Sequence, residues 1–405
     1  MKKAKNKMCT KFRAIFEEIN NISSSVGNEA LYTACEKSNL NDKNDLCGMM
    51  WLIGRSYAAS PQRRSYGLSK RLIEKEIINK NGEKTKKARP VWLVKTENSG
   101  NGDFFFKLAE YIMNWQPQNN TNSTEEKVVY DALIARINEI KNQTYKFNKE
   151  SFDEDVELLV KSIEAVSRFN RLVKRGTEKF DMVPDDHRHK ISNEKELQRL
   201  RVDIKSDDII DYVYCKNQIS FASKFLHFFC RNSVFIIDQF SKHGGEFFFD
   251  NQSENTYYIS NGLVDIESDD YNEGCESGIK IENFAPNDRK NILEDKGYLQ
   301  ERDKLFNLLL EKLENECSYD KEEIVNLRVT RNLLSKKRNT KIKQKDWFVY
   351  DYILHCANSY TLCLYIKNVL QINNPKVSYP RFSDTVFMRI KEKDQTTYSD
   401  NLFYN

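Results

Sequence analysis

Glycine and proline are scarce in this 405-residue chain, at 14 and 7. That disfavours a turn-rich β architecture and leaves room for long helices. No apolar run approaches the roughly 20 residues needed to span a bilayer, so no membrane partner is expected. The opening Met-Lys-Lys-Ala-Lys-Asn-Lys is basic, yet charged Phe-Arg-Ala-Ile-Phe-Glu-Glu follows where a signal peptide would need its apolar segment. The 9 cysteines include no Cys-x-x-Cys pair, which fits reduced thiols in a cytoplasmic protein. The 5 histidines offer only His187-Arg-His189 in a polar stretch, read as a solvated turn; neither a metal nor another cofactor is expected. No P-loop, G-x-G-x-x-G, H-E-x-x-H or G-x-S-x-G occurs, which sets aside nucleotide hydrolysis, zincin and α/β-hydrolase chemistry.

What is present is 12% aromatic and 31% charged, the composition of a globular protein long enough for two or three subdomains. Net charge is only +4, but it is uneven. Residues 1–90 carry 19 Lys/Arg against 9 Asp/Glu, and residues 321–376 carry 11 against 4. The second excess is concentrated in Arg328–Lys345 and includes Lys336, Lys337 and Arg338. Between them, His243–Ile279 has no Lys or Arg and 9 acids. Two basic segments and an acidic insertion point to a cationic face suited to phosphate backbones, while solvated loops are the bland alternative.

Helices are expected at Thr10–Ile22, Ala30–Glu36, Leu46–Ala59, Phe104–Trp115, Glu125–Ile140, Asp153–Val173, Glu194–Val202, Asp207–Tyr214, Leu299–Glu314 and Trp347–Leu370. Ser60-Pro61 closes the third of them, because the residue before proline resists helical geometry. Asn79–Arg89 reads as a polar, basic turn and Phe180–Ser192 as a loop. Phe247–Val264, with its Asn-Gly, could form a small β-hairpin in the acidic insertion. Gln116–Thr124 is the best internal boundary. The expected divisions are 1–118 as a basic helical lobe, 125–240 as a helical core, 241–298 as the acidic insertion and 299–405 as a basic helical segment. The fold class is mainly α.

The most informative stretch is Phe221–Asp238, FASKFLHFFCRNSVFIID. With about 100° per residue, Ile219, Ala222, Phe225, Leu226 and Phe229 form a core stripe. Lys224 falls on the other side, with Phe221, His227, Phe228 and Arg231. An ammonium between aromatic rings is either a snorkelling lysine or a group lining a pocket. Partial desolvation favours the neutral amine, which can attack an electrophilic carbon. Asp238, fourteen residues on, closes Val-Phe-Ile-Ile and is placed to cap a new helix beside the same cleft. An accessible Lys224 beside Asp238 is the expectation, and Lys224→Gln should then leave folding little changed.

A helix bearing lysine, a short connection and an aspartate at the next helix start resembles the helix-hairpin-helix DNA glycosylases, in particular the 8-oxoguanine DNA glycosylase fold. The likeness rests on about twenty residues around Phe221–Asp238. The phrases ASKFLHF and FIID also resemble bacterial proteins of that fold, some linked to phage defence. The resemblance implies a helical two-lobed fold. It also implies that Lys224 attacks C1′ of the nucleoside, while Asp238 stabilises the positive sugar and shuttles protons. The base would be flipped into a pocket lined by Phe221 and Phe228. The glycine-rich hairpin before the lysine is replaced here by Lys-Asn-Gln-Ile-Ser-Phe, so that backbone grip on a phosphate is not carried over. The partner implied is DNA, modified or foreign. A helical nucleic-acid-binding or defence scaffold without catalysis remains the second reading.

Trp51–Gly67, WLIGRSYAASPQRRSYG, is the other constellation. Arg55 and Tyr57 end an apolar helix, and Arg63 and Arg64 follow the Ser-Pro turn. Arginines beside aromatics suit phosphate contacts and base stacking, with internal pairing of Arg55 as the alternative.

Overall fold

The computed structural model describes residues 16, 19, 26–57, 59, 61, 64–68, 70–78, 84–92, 102–116, 129–179, 189–190, 210–214, 218–249, 296–317, 319, 321–335, 344–368, 370–373 and 378–390. The described chain is mainly α-helical. In order it has α1 (Val26–Lys37), α2 (Lys43–Ser56), β1 (Arg64–Leu68), β2 (Lys70–Ile78), β3 (Lys84–Trp92), α3 (Gly102–Asn114), α4 (Val129–Ile140) and α5 (Phe152–Lys179). There follow β4 (His189–Lys190), β5 (Ile210–Tyr214), α6 (Ile219–Phe229), α7 (Gln239–Phe249), α8 (Lys296–Glu316), α9 (Lys321–Ser335) and α10 (Gln344–Asn368). A last helix, α11, covers 379–390.

The chain separates into two units. One comprises Met1–Asn39, Asn120–Phe169 and Ile219–Asn405; the other comprises Leu40–Asn119 and Asn170–Gln218.

In the second unit α2 packs on α3. Asp42 caps α2, its Oδ1 accepting from the N–H groups of Asn44 and Asp45 at 2.8 and 3.0 Å. Leu46, Met49, Met50 and Ile53 bury one stripe of α2, and Phe105, Leu108, Ala109 and Ile112 bury one of α3. Gly176, in the later part of α5, packs closely on α3: a Cβ there would lie 2.3 Å from Leu108 Cδ1, so the leucine side chain would have to shift. β2 and β3 pair antiparallel, from Lys70 opposite Trp92 to Ile78 opposite Lys84. The expected turn at Asn79–Arg89 is therefore largely strand β3. Its interspersed lysines obscured the alternation, although Asn81-Gly82 between the two strands is a hairpin signal. β5 lies between β1, antiparallel, and β4, parallel. Helix was expected at Asp207–Tyr214, but the β-branched and aromatic Ile-Asp-Tyr-Val-Tyr pairs as a strand.

In the first unit α10 is the central element, with Tyr352, Ile353, His355–Ile366 nearly all buried. A helix apolar on every side is enclosed by neighbours. Those neighbours include α7, α8 and α9. Phe16, Ile19, Leu362, Tyr365, Ile366, Phe382, Val386 and Phe387 form one cluster that seats α11 on α10. Phe147, buried with φ 48°, is held in that left-handed conformation by Asp155, which accepts from the N–H groups of Lys146 and Phe147 and from the Tyr360 hydroxyl. Helices α9 and α11 were not expected from the sequence. Phe247–Phe249 end helix α7 rather than beginning a hairpin, and the remainder of the acidic insertion before Lys296 lies outside the described residues. So do Glu194–Val202 and most of Thr10–Ile22.

Candidate functional site

The residues that bring Lys224 and Asp238 together are serine and histidine, spaced along α6. The helix ends at Phe229, and Ser233 turns the chain back, its hydroxyl placed 2.6 Å from Ile140 O and 2.7 Å from Gln143 O. Val234–Ile237 then returns extended along α6. The Nδ1–H of His227 donates to Val234 O at 2.8 Å. One helical turn earlier, Ser223 Oγ accepts from the Ile237 N–H at 3.1 Å and lies 3.2 Å from Ile237 O. These two ties fix the register of the returning segment. They deliver Asp238 to the level of Lys224.

Lys224 Nζ stands 3.3 Å from Asp238 Oδ2 and 3.3 Å from Ser220 Oγ, one turn back on the same helix. The other carboxylate oxygen has a separate task. Asp238 Oδ1 accepts from the Ser241 N–H at 2.8 Å, while Ser241 Oγ accepts from the Asp238 N–H at 2.9 Å. This reciprocal arrangement is a capping box at the start of α7. One carboxylate therefore both starts a helix and faces an ammonium. The side chains are 8% exposed for Lys224 and 13% for Asp238.

Further charges lie behind the pair. Asp384 on α11 is fully buried, with Oδ2 2.5 Å from Arg381 Nη1. Burial above all, then the Asp238 carboxylate, pushes Asp384 up to about 7, against the pull of Arg381, Lys224 and Ser241. Lys242 pairs with Asp351 at 2.7 Å, and burial still raises Asp351 to about 6. His355 is pushed down to about 4 by burial, opposed by a bond with the Ile236 backbone and by Asp238. Three cations, Lys224, Lys242 and Arg381, thus stand with three carboxyls, Asp238, Asp351 and Asp384.

The aromatic face expected to line a base pocket is packed. Phe221 lies against Phe169 and Phe225, with centroids 6.0 Å apart in each case. Phe228 lies 5.0 Å from Tyr32. His227 is buried with Nε2 2.5 Å from the Tyr32 hydroxyl, and burial drives its pKa down to about 3. Since Nδ1–H donates to Val234, Nε2 is the acceptor for the tyrosine. Every residue from Phe221 to Cys230 is buried, so α6 is enclosed on all sides and Lys224 is not the accessible lysine expected. Two more layers cover the stripe that the sequence left open: α1 through Tyr32, and the returning Val234–Ile237.

The remaining sequence-derived residues are elsewhere. Arg55 is exposed near the end of α2, and Tyr57 is half-buried as its C-cap. Arg64 opens β1 opposite Tyr214. Arg63, Lys336, Lys337 and Arg338 lie outside the described residues. Asp384, Arg381 and Asp351 were missed, because long-range packing alone brings Asp384 near Lys224 and Asp238, and Asp351 against Lys242. Ser241 was missed too, since Asp-x-x-Ser departs from the usual Glu or Gln at the third position and Lys-His-Gly-Gly follows it.

No protein family, curated protein or solved structure matches the chain. Among the described residues no group of three or more His, Cys, Asp or Glu is arranged to hold a metal, and no helix is long and apolar enough to cross a membrane. The chemistry open to the Lys224–Asp238 pair is that of an amine nucleophile with an adjacent carboxylate. The carboxylate can accept a proton or offset positive charge developing on a bound carbon.

Proposed function

We propose that the chain is a DNA glycosylase of the helix-hairpin-helix, two-lobed kind, with or without an accompanying lyase step, acting on a modified or foreign base. The observation that carries this reading is the 3.3 Å approach of Lys224 Nζ to Asp238 Oδ2 across two successive helices. In the proposed reaction the Lys224 lone pair forms a bond to C1′ as the C1′–N glycosidic bond breaks and its electron pair leaves with the base. Asp238 offsets the positive charge that develops on the sugar. Loss of the amine proton and opening of the sugar ring then give a Schiff base. A role against foreign DNA in the cytoplasm belongs to the same proposal.

Borohydride trapping on duplexes carrying varied modified bases tests it. A covalent adduct is expected with one of them, absent for Lys224→Gln and reduced for Asp238→Asn. Neutralising Arg63 with Arg64, or Lys336 with Lys337 and Arg338, should weaken DNA binding and lower its salt slope by about one unit per lost phosphate contact.

The enclosed packing of Phe221, His227 and Phe228 favours a second reading, in which the pair ties α6 to α7 inside a non-catalytic nucleic-acid-binding or defence scaffold. Folded Lys224→Gln and Asp238→Asn variants with full biological activity would select it.

A further inference from the structure

Phenylalanine is an interior residue throughout the site. Phe221, Phe225, Phe228, Phe229 and Phe235 are all buried, while Phe240 is 39% exposed. It sits in the first turn of α7, two residues beyond Asp238. Gln239 beside it is also exposed, whereas Ser241 and His243–Gly245 are buried. Among residues 239–245, whose exposure is described, the exposed ones are Gln239 and Phe240, which directly follow Asp238.

We propose that Phe240 stacks on the nucleobase flanking the reacting nucleotide. The inference rests on the DNA-glycosylase reading and adds a substrate-positioning residue to it. Two residues along a helix, backbones are roughly 5.5 Å apart and side chains leave about 200° apart in phase. The ring is thus carried past the carboxylate and away from the Lys224 amine, too far round to cover the reacting sugar. Neighbouring bases on one strand are spaced by about 3.4 Å. A ring displaced by one or two such steps meets the next base rather than the flipped one. An aromatic ring offers a π-face to any base, and such stacking is sequence-tolerant. It would hold the strand on the protein while the neighbouring nucleotide leaves the stack, a displacement that base flipping requires.

The test uses the full chain and a duplex holding a tetrahydrofuran abasic analogue with 2-aminopurine as the adjacent base. This probe has no base to excise, so equilibrium binding is read without chemistry. Phe240→Ala should weaken binding about tenfold and abolish the change in 2-aminopurine emission. Phe240→Trp should retain both, and Phe240→Leu should behave like Ala, which separates stacking from apolar contact. An unchanged urea midpoint is expected for all three, because the side chain lies at the surface. Affinity of Phe240→Ala within twofold of wild type, or Phe240→Leu equal to wild type, overturns the proposal, as does failure of the wild-type chain to bind the duplex. The two readings fail separately. Phe240-dependent binding without borohydride trapping would refute only the Lys224 chemistry, and trapping with Phe240-independent binding would refute only the stacking.

Discussion

If the Lys224–Asp238 pair is coupled as its geometry requires, a double-mutant cycle must show it, whatever the pair does to DNA. Losing one member of a wholly buried pair costs roughly 3–5 kcal/mol, because the survivor keeps its charge without its partner. Here both side chains retain slight exposure, 8% and 13%, so the lower part of that scale applies. Asp238 also keeps the Ser241 N–H in a Lys224→Met variant. About 2 kcal/mol is expected for Lys224→Met. Asp238→Asn preserves a good capping side chain, so its cost comes from the stranded ammonium and should again be about 2 kcal/mol. The double variant strands neither charge and should also cost about 2 kcal/mol rather than 4, a coupling of about 2 kcal/mol. Urea unfolding at pH 7, with unchanged m for all four proteins, measures each corner. Additive single costs, with coupling below about 0.5 kcal/mol, would refute direct pairing. The same reasoning replaces the sequence-based expectation that Lys224→Gln leaves folding little changed. That expectation required an accessible lysine, and the structure encloses it.

Gly244→Ala should be severely destabilising, by roughly 3 kcal/mol or more, because its Cβ would stand 2.0 Å from the carbonyl oxygen of Phe387 on α11. Gly48→Ala, in an open position on α2, should instead raise stability by up to about 1 kcal/mol; urea midpoints of the two variants give the contrast. Asp384 has its folded pKa raised to about 7 from an ordinary 3.8, so its stabilising contribution is complete below pH 4 and is lost as pH rises through 7. Asp384→Asn should remove that fall, making the variant's stability less steep than wild type between pH 4 and 7 by up to about 1.4 kcal/mol per pH unit, with no difference in slope above. His227, pushed down to about 3, works in the opposite sense: its contribution is present above pH 6.5 and fades as pH falls toward 3, which His227→Gln should flatten in acid titrations of stability. Site-resolved alkylation should label the half-exposed Cys47 before the buried Cys230, Cys356 and Cys363, whose thiols burial pushes up.

Helix α6 illustrates what a sequence can and cannot reveal here. Its core stripe, Ala222, Phe225, Leu226 and Phe229, followed from helical phase, with Ile219 only half-buried, and Lys224 stood out as the single Lys or Arg within an apolar run. The stripe opposite was read as open because phase describes one helix and says nothing of what covers its second face. In the folded chain that face is covered by α1, whose Tyr32 lies 195 residues before His227, and by the returning Val234–Ile237. The ties that align this return, Ser223 to Ile237 and His227 to Val234, are local and spaced by one helical turn. Their residue types are too common to signal it. Asp384 lies further out of reach, since it approaches Asp238 only because α11 crosses α7 where Gly244 leaves room for the Phe387 backbone. The local half of the site, lysine and capping aspartate, is thus written in fourteen residues, while the buried charges behind it depend on a helix crossing. A variant that opens this crossing, such as Gly244→Ala, should therefore disturb the surroundings of Asp238 without touching Lys224, Asp238 or the capping serine. Gly244→Ala and Asp384→Asn should both alter the pH dependence of stability between pH 4 and 7; independent effects would separate the crossing from the pair.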